Sequence, residues 1–187
     1  MIRGSRGKNQ QTKRTELPTA TEQALRLLPD SASFRADKAI VVSQEDFIRA
    51  GAPSCFDLIV GRLEGAIDCD PMIREVKRVS AMRRAGAITQ LRLVVAGRRR
   101  ESPAMVSLCE TNRVLVWGLI EPPKVKEYWR LEPEQGGTVV HVILGHEIHG
   151  SVIKRLLQSI VGRRRLEQET RQVLGRLKET AEVIGSR

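Results

Sequence analysis

The order of hydrophobic and polar residues predicts a sheet entered by one strand and one short helix. After residue 38 the run AIVVSQ is rich in β-branched residues and predicts a strand. Gly51 and Pro53 interrupt it, and SCFDLIVGRLEG then has apolar residues at helical spacing, so we predict a helix with Ser54 as its N-cap. Beyond Pro71 come six strand-like segments, and the short turn-forming connections between them favour an antiparallel meander.

The last part of the chain predicts a long helix. From Ser151 to about Ile184 there is no proline, and apolar residues recur with a helical period in two stretches. A helix of this length would extend on the order of 45 Å at 1.5 Å per residue. Its middle, Gly162 to Gln172, is polar on nearly all sides except at Leu166, so we expect it to overhang the sheet edge or to bend at Gly162. The whole pattern predicts an α+β fold in which about seven strands meet one long helix.

The chain before residue 36 differs from the rest. Its first 14 residues carry five basic side chains and no acidic one, a composition typical of a disordered tail. The run TEQALRLL predicts a short helix over 21–28, ended by Pro29. We therefore expect a basic, largely disordered extension over 1–35 and one folded domain over 36–187.

Charge narrows the choice of partners. The 187 residues include 32 Lys and Arg against 22 Asp and Glu, a formal charge of +10. The basic clusters are most simply solvated surface, with an anionic membrane surface or nucleic acid as alternative partners. Aromatic residues make up only 3% of the chain, which argues against a module that stacks bases and disfavours the nucleic-acid alternative. The clusters are Lys77-Arg78 with Arg83-Arg84, Arg98 to Arg100 in a predicted hairpin turn, and Arg163 to Arg165 on the long helix.

Cysteine use and hydropathy indicate a cytoplasmic protein. Cys55, Cys69 and Cys109 are odd in number and form no CxxC pair, as expected for a reducing compartment and not for a disulfide or zinc scaffold. The N-terminal sequence lacks the apolar core of a secretory signal, and nowhere do 18 apolar residues run together. We expect neither a metal nor another cofactor.

Four segments carry a resemblance to a known family. They are GAPSCFDLI at 51–59, DCDPMIREVKRVS at 68–80, YWRLEPEQGGT at 128–138 and RLKETAE at 176–182. Together with the element order they resemble the START-like superfamily, also called SRPBCC, which includes polyketide cyclases/dehydrases, lipid-transport proteins and the birch-pollen allergen. The resemblance spans roughly residues 36–184. It departs at Cys69, where the family usually carries Trp, so that aromatic plug is missing.

The resemblance implies a helix-grip fold, in which a curved antiparallel sheet wraps a long C-terminal helix around a cavity for a hydrophobic small molecule. Such a protein binds, or transports, a lipid, isoprenoid or polyketide. Trp117 and Trp129 are the strongest candidates for ligand contact, because an indole supplies both apolar area and an N–H donor. The candidate ligand-binding residues are Phe56, Ile59, Leu91, Leu93, Val95, Met105, Trp117, Trp129, Leu131, Val140, Val142, Ile153 and Leu157.

Evidence for catalysis in the sequence is thin. The pattern HExH at 146–149 lacks the spacing that places two ligands on one helical face, so we predict no metal site. His141 and His146 are candidate general bases, because imidazole titrates near neutrality, and in a strand they would point to opposite sides. No GxSxG, Walker or GxGxxG pattern is present. A binding protein is favoured, a cyclase/dehydrase-type enzyme using the same cavity is the alternative, and a basic adaptor to an anionic membrane surface or nucleic acid is the third hypothesis.

Overall fold

The computed structural model describes residues 39–65, 73–77, 81–95, 98–122, 124–147 and 152–185. Within these residues the chain forms a seven-stranded antiparallel sheet. Strands β2 to β7 follow one another as a meander, and β1 pairs with β7, giving the order β1-β7-β6-β5-β4-β3-β2. The strands are β1 (Ala39–Ile48), β2 (Ile73–Lys77), β3 (Ile88–Val95), β4 (Arg98–Glu110), β5 (Val114–Leu119), β6 (Val125–Glu134) and β7 (Gly137–Glu147). The predicted meander is confirmed. The predicted helix over 21–28 lies outside the described residues.

Two helices cover one face of this sheet. Helix α1 (Ala52–Glu64) follows β1, and helix α2 (Val152–Gly185) is the predicted long C-terminal helix. The α2 helix packs mainly on β1 and α1, whereas α1 packs on β6 and also contacts β2, β3 and β7. The α+β helix-grip arrangement expected from the sequence is therefore present, and α1 contacts strands from both halves of the sheet.

The start of α1 differs from the prediction. Gly51 is the N-cap residue, with extended backbone and no capping side-chain hydrogen bond, and Pro53 lies in the first turn. Proline suits this position because its fixed φ matches the helix and its missing N–H needs no partner there. The prediction of Ser54 as N-cap is wrong, since the helix has already begun at Ala52.

The hairpin between β3 and β4 is also longer than the sequence indicated. Arg98 to Arg100 were expected in the turn, but they are the first residues of β4 and pair with Val95 to Leu93. Arginine adopts an extended backbone without strain. The hydrogen-bonded pairing of Arg98 to Arg100 with the apolar end of β3 therefore outweighs the tendency of Gly97 to form a turn.

Alternation along the strands separates an inner face, covered by the helices, from an outer face. The inner side chains and the helices form the main core. A second, smaller apolar cluster lies on the outer face, around Val116, Tyr128 and Ile143. At the end of β1, the buried hydroxyl of Thr138 donates a hydrogen bond of 2.8 Å to the carbonyl of Ala50, and Lys178 of α2 contacts Asp46 at 2.9 Å. These contacts hold both helices to the β1–β7 edge.

The fold predicts opposite effects for two glycine-to-alanine changes. A Cβ at Gly137 would overlap the carbonyl oxygen of Ile48 and lie 2.7 Å from the Phe47 ring, whereas one at Gly175 of α2 would meet nothing within 4 Å. We expect Gly137→Ala to lower the free energy of unfolding by about 1–3 kcal/mol through overpacking. Gly175→Ala should raise it by about 0.5–1 kcal/mol because alanine favours the helix. Urea unfolding of both variants measures this, and shifts of the same sign would contradict the described approach of β1 to β7.

Candidate functional site

A buried carboxylate, that of Glu127, lies on the inner face of the sheet. Alternate residues of β6 face inwards, namely Val125, Glu127, Trp129 and Leu131, and each is at most 6% exposed. Trp117 of β5 lies directly opposite Glu127. Because Glu127 is only 2% exposed, protein groups must replace the water that would otherwise solvate its charge.

Three N–H donors converge on one oxygen of this carboxylate. The Oε2 atom of Glu127 accepts hydrogen bonds from Arg62 Nη2 at 2.8 Å, Trp129 Nε1 at 2.8 Å and Trp117 Nε1 at 3.0 Å. Hydrogen bonds to a charged acceptor are roughly twice as strong as those between neutral groups. The carboxylate is therefore held by donors from three different elements of the fold.

Arg62 reaches this carboxylate from α1. It lies three positions after Ile59 and seven after Cys55, so it belongs to the helix face that packs on the sheet, and it is 1% exposed. Its guanidinium carbon is 4.7 Å from the centre of the Trp129 ring. This cation–π contact contributes roughly 2 kcal/mol or more where water is excluded. Trp129 thus contacts both charges, through its ring face and its N–H.

The Arg62–Glu127 ion pair is a costly way to join α1 to β6. Removing two charges from water costs several kcal/mol per ion, and apolar residues of similar volume are often equally good or better for stability. The pair and its two indole partners instead supply something that apolar residues cannot, which is a directed set of donors and an acceptor in an apolar interior. We call these four residues, Arg62, Trp117, Glu127 and Trp129, the polar cluster.

Most residues expected to line a ligand cavity lie on the inner side of the fold. Nine of them are at most 3% exposed and belong to the main core, namely Phe56, Ile59, Leu91, Leu93, Trp117, Trp129, Leu131, Val140 and Val142. The side chains of Val95, Ile153 and Leu157 are outside the described part of the chain. Ligand contact by any of these residues stays a prediction. The N–H donors expected of the two tryptophans are present, and both are directed at Glu127.

Met105 is placed differently from the prediction. It lies opposite Ile88, which is 39% exposed, whereas its neighbours Ala104 and Val106 are fully buried in the main core. The expectation that Met105 faces inwards is therefore wrong. A bulge in the pairing of β4 with β5 follows Val106, and such a shift of register is not visible in the alternation of a single strand.

The two candidate histidines lie on opposite faces, as their spacing predicted. His141 is on the outer face, where its Nδ1 atom is 3.1 Å from Glu45 and its Nε2 atom is 3.6 Å from Glu132. A general-base role for His141 inside the sheet–helix interior is therefore ruled out by its position. His146 pairs with Ile40 and Val125, two inner-face core residues, and is the candidate that shares a face with the polar cluster.

Arg62 and Glu127 were missed in the sequence, although a signal for each was present. Glu127 occupies an inward position in the alternation Val125, Glu127, Trp129, and Arg62 interrupts the apolar stripe of α1. A charged residue at a core position is a sign of a buried partner. Which residue serves as that partner depends on the packing of α1 across β6, which no local pattern specifies.

The described cysteines have little nucleophilic character. Burial raises the pKa of the Cys55 thiol, and the hydrogen bond with Thr138 opposes this shift only in part. Burial also raises the pKa of Cys109, against a smaller opposing effect of the Arg83 charge. Since the thiolate is the reactive form, neither residue is a candidate nucleophile.

Acidic neighbours compensate much of the positive charge on the described surface. Each basic cluster with described ion pairs contacts carboxylates of a nearby element or of the next helical turn, and such exposed pairs contribute roughly 0–1 kcal/mol each. The pairs are Arg83–Asp57, Lys77–Glu101, Arg163–Glu167 and Arg165–Glu169. An anionic membrane surface as partner stays a prediction.

The described residues contain neither a cluster of metal-binding side chains nor a membrane-spanning helix. No three His, Cys, Asp or Glu side chains come together there in an arrangement that could hold a metal ion. No helix among them has the length and hydropathy needed to cross a membrane.

Comparisons with known proteins show the fold. No protein-family model matches the chain, and no curated protein matches its sequence. Among solved structures, Ara h 8.0201 has a TM-score of 0.55 at 12% identity, over 76% of this chain and 97% of its own. TTHA0849 from Thermus thermophilus has a TM-score of 0.62 at 18% identity, over 77% and 98%. The di-domain ARO/CYC StfQ from the steffimycin biosynthetic pathway has a TM-score of 0.65 at 14% identity, over 82% and 54%.

These matches confirm the resemblance inferred from the sequence segments at the level of the fold. The chain has the helix-grip fold of START-like proteins, and this likeness covers three quarters or more of its length. Shared fold at such low identity does not carry function, which must be argued from the site.

In the polar cluster we expect the effect of Arg62→Met on the free energy of unfolding to depend strongly on whether Glu127 is also replaced. Arg62→Met alone leaves the buried Glu127 without its cation, and we expect the free energy of unfolding to fall by about 3–5 kcal/mol. Adding Glu127→Leu removes the remaining charge, so the double variant should recover most of that loss. A double-mutant cycle by urea unfolding measures the coupling. Additive effects of the two substitutions would show that the ion pair does not form.

Proposed function

We propose that the protein binds a hydrophobic small molecule between the inner face of the sheet and the helices, with a polar group of the ligand recognised by the polar cluster. The observation that carries this proposal is the buried Arg62–Glu127 ion pair with its two indole donors. A ligand site for a small organic molecule is mainly apolar and contains a few well-placed polar groups. The inner face, with one such cluster among aliphatic side chains, matches this description.

The surroundings of the cluster support an apolar ligand. Leu144 of β7 lies opposite Glu127, and Leu115 and Val142 lie on either side of Trp129. These side chains would contact the body of the ligand through dispersion and the hydrophobic effect, and the cluster would fix its orientation. The ligand would be a lipid, isoprenoid or polyketide, as the resemblance to START-like proteins implies. StfQ, an ARO/CYC of a biosynthetic pathway, offers further support for a small organic ligand.

An enzyme of the cyclase/dehydrase type is a second candidate, favoured by the inner position of His146. In this candidate function His146 acts as a general base on the bound molecule, so wild-type protein purified from its own host should carry the product. The His146→Ala variant should carry the precursor, whose mass in a dehydration exceeds that of the product by one water molecule. Native mass spectrometry compares the two. The same bound mass in both proteins would reject this role and leave the binding function in place.

The binding proposal predicts that filling the inner face abolishes ligand retention. Val106 lies opposite Trp117 on the inner face, and the adjacent Met105 lies on the outer face of the same strand. Val106→Phe should reduce the amount of apolar ligand that co-purifies from the host at least about tenfold. The added ring occupies space that the ligand would fill, and a loss of about 1.4 kcal/mol of binding free energy lowers the affinity tenfold. Met105→Phe, the matched control, should retain it.

Native mass spectrometry and solvent extraction measure the retained ligand, and urea unfolding shows that both variants are folded. Absence of any apolar ligand from wild-type protein, together with no binding of the neutral probe N-phenyl-1-naphthylamine, would contradict the proposal. Equal retention by the two variants would place the ligand elsewhere.

A further inference from the structure

The polar cluster contains an anion site that is filled by a side chain of the protein itself. Arg62, Trp117 and Trp129 direct three N–H donors at one point, and the occupant of that point is an oxygen of Glu127. We infer that these three residues form a carboxylate-binding site, that Glu127 occupies it while the protein is empty, and that the ligand is a hydrophobic carboxylic acid whose carboxylate replaces Glu127. This inference rests on the proposed function and names the class of ligand.

The geometry of the donors favours a carboxylate over a neutral group. The three donor–oxygen distances of 2.8 to 3.0 Å are those of well-formed N–H···O hydrogen bonds. An indole N–H has no acceptor function, and a guanidinium has none either, so the site offers donors only. A hydroxyl or amide on a ligand would leave part of its own donors without a partner there. A carboxylate oxygen has only acceptors and satisfies all three donors, as Glu127 does.

Charge balance requires a proton to accompany the ligand. One guanidinium compensates one carboxylate, and a second buried carboxylate would leave an uncompensated negative charge. A ligand that arrives as its anion therefore binds together with one proton, which converts Glu127 to its neutral acid. A ligand that arrives as its neutral acid transfers its proton to Glu127. In both cases the cluster keeps a net charge of zero, and the neutral Glu127 can donate its O–H to the ligand oxygen.

The groups that face Glu127 restrict where this proton can go. From α1 it faces Arg62, which stays protonated, and from β5 it faces Trp117, which does not titrate. From β7, Leu144 is directly opposite, and His146 is the next inner residue along that strand. Among the described side chains on this face, His146 is thus a second group that could take up a proton, and replacing it provides a control.

Calorimetric titration with two matched probes tests the inference. Decanoate carries the proposed carboxylate and decan-1-ol does not, while their apolar bodies are the same. Titrations near pH 7 in two buffers of different ionisation enthalpy give the number of protons taken up. We expect about one proton per bound decanoate and none for decanol, in wild type and in His146→Gln. Decanoate binding without proton uptake would overturn the inference.

Glu127→Gln supplies the second measurement. With the competing carboxylate removed, decanoate should bind about tenfold tighter or more and without proton uptake, and decanol should bind about as in wild type. Arg62→Met with Glu127→Leu keeps the interior free of charge and should fold even if Glu127→Gln does not. It should bind decanol and lose its preference for decanoate.

The two proposals fail in distinguishable ways. Binding of decanol with no binding of decanoate overturns the carboxylate inference and leaves the proposed function standing. An unchanged decanoate affinity in folded Glu127→Gln also overturns the inference alone. Failure of wild-type protein to bind decanoate, decanol and N-phenyl-1-naphthylamine, with no apolar ligand co-purified, overturns both.

Discussion

The low dielectric of the sheet–helix interior is the constraint on which this structure depends. Arg62 and Glu127 are both almost fully buried, so each needs the other, and the pair fixes how α1 lies across the sheet. The indoles of Trp117 and Trp129 complete the shell around the carboxylate from two neighbouring strands. A change in the position of α1 would separate the two charges, and a change in the register of β5 and β6 would move the Trp117 donor away from Glu127. The ion pair therefore couples the packing of the helix to the pairing of the strands.

The two faces of the sheet carry different kinds of side chain. The inner face combines aliphatic side chains with the polar cluster, and the proposed function lies there. The outer face carries exposed ion pairs, such as that of Arg130 with Glu132, and their charges are screened by water and salt. Among the described residues most charged side chains thus lie on surfaces that determine solubility and the approach of partners, whereas Arg62 and Glu127 are paired in the interior.

Much of the fold could be predicted because its signals are local. β-Branched alternation marked the strands, and helical spacing without proline marked α2. The predictions that were wrong concern positions where a tertiary contact outweighs a local preference. Arg98 to Arg100 extend β4 through pairing with β3, the bulge after Val106 leaves Met105 on the outer face, and Pro53 begins α1 before Ser54 could cap it.

The sequence by itself determined the element order, the helix-grip resemblance, the opposite faces of His141 and His146, and the two tryptophans as inward donors. The element order and the opposite faces of the histidines follow from periods of two or 3.6 residues. The resemblance rests on four sequence segments together with the element order, and the tryptophans were chosen because an indole combines apolar area with an N–H donor. Only the tertiary structure decided that Arg62 and Glu127 meet, although they are 65 positions apart in the chain. Their meeting depends on where α1 packs on β6, and that position results from the shape of the whole inner face, which no single segment encodes.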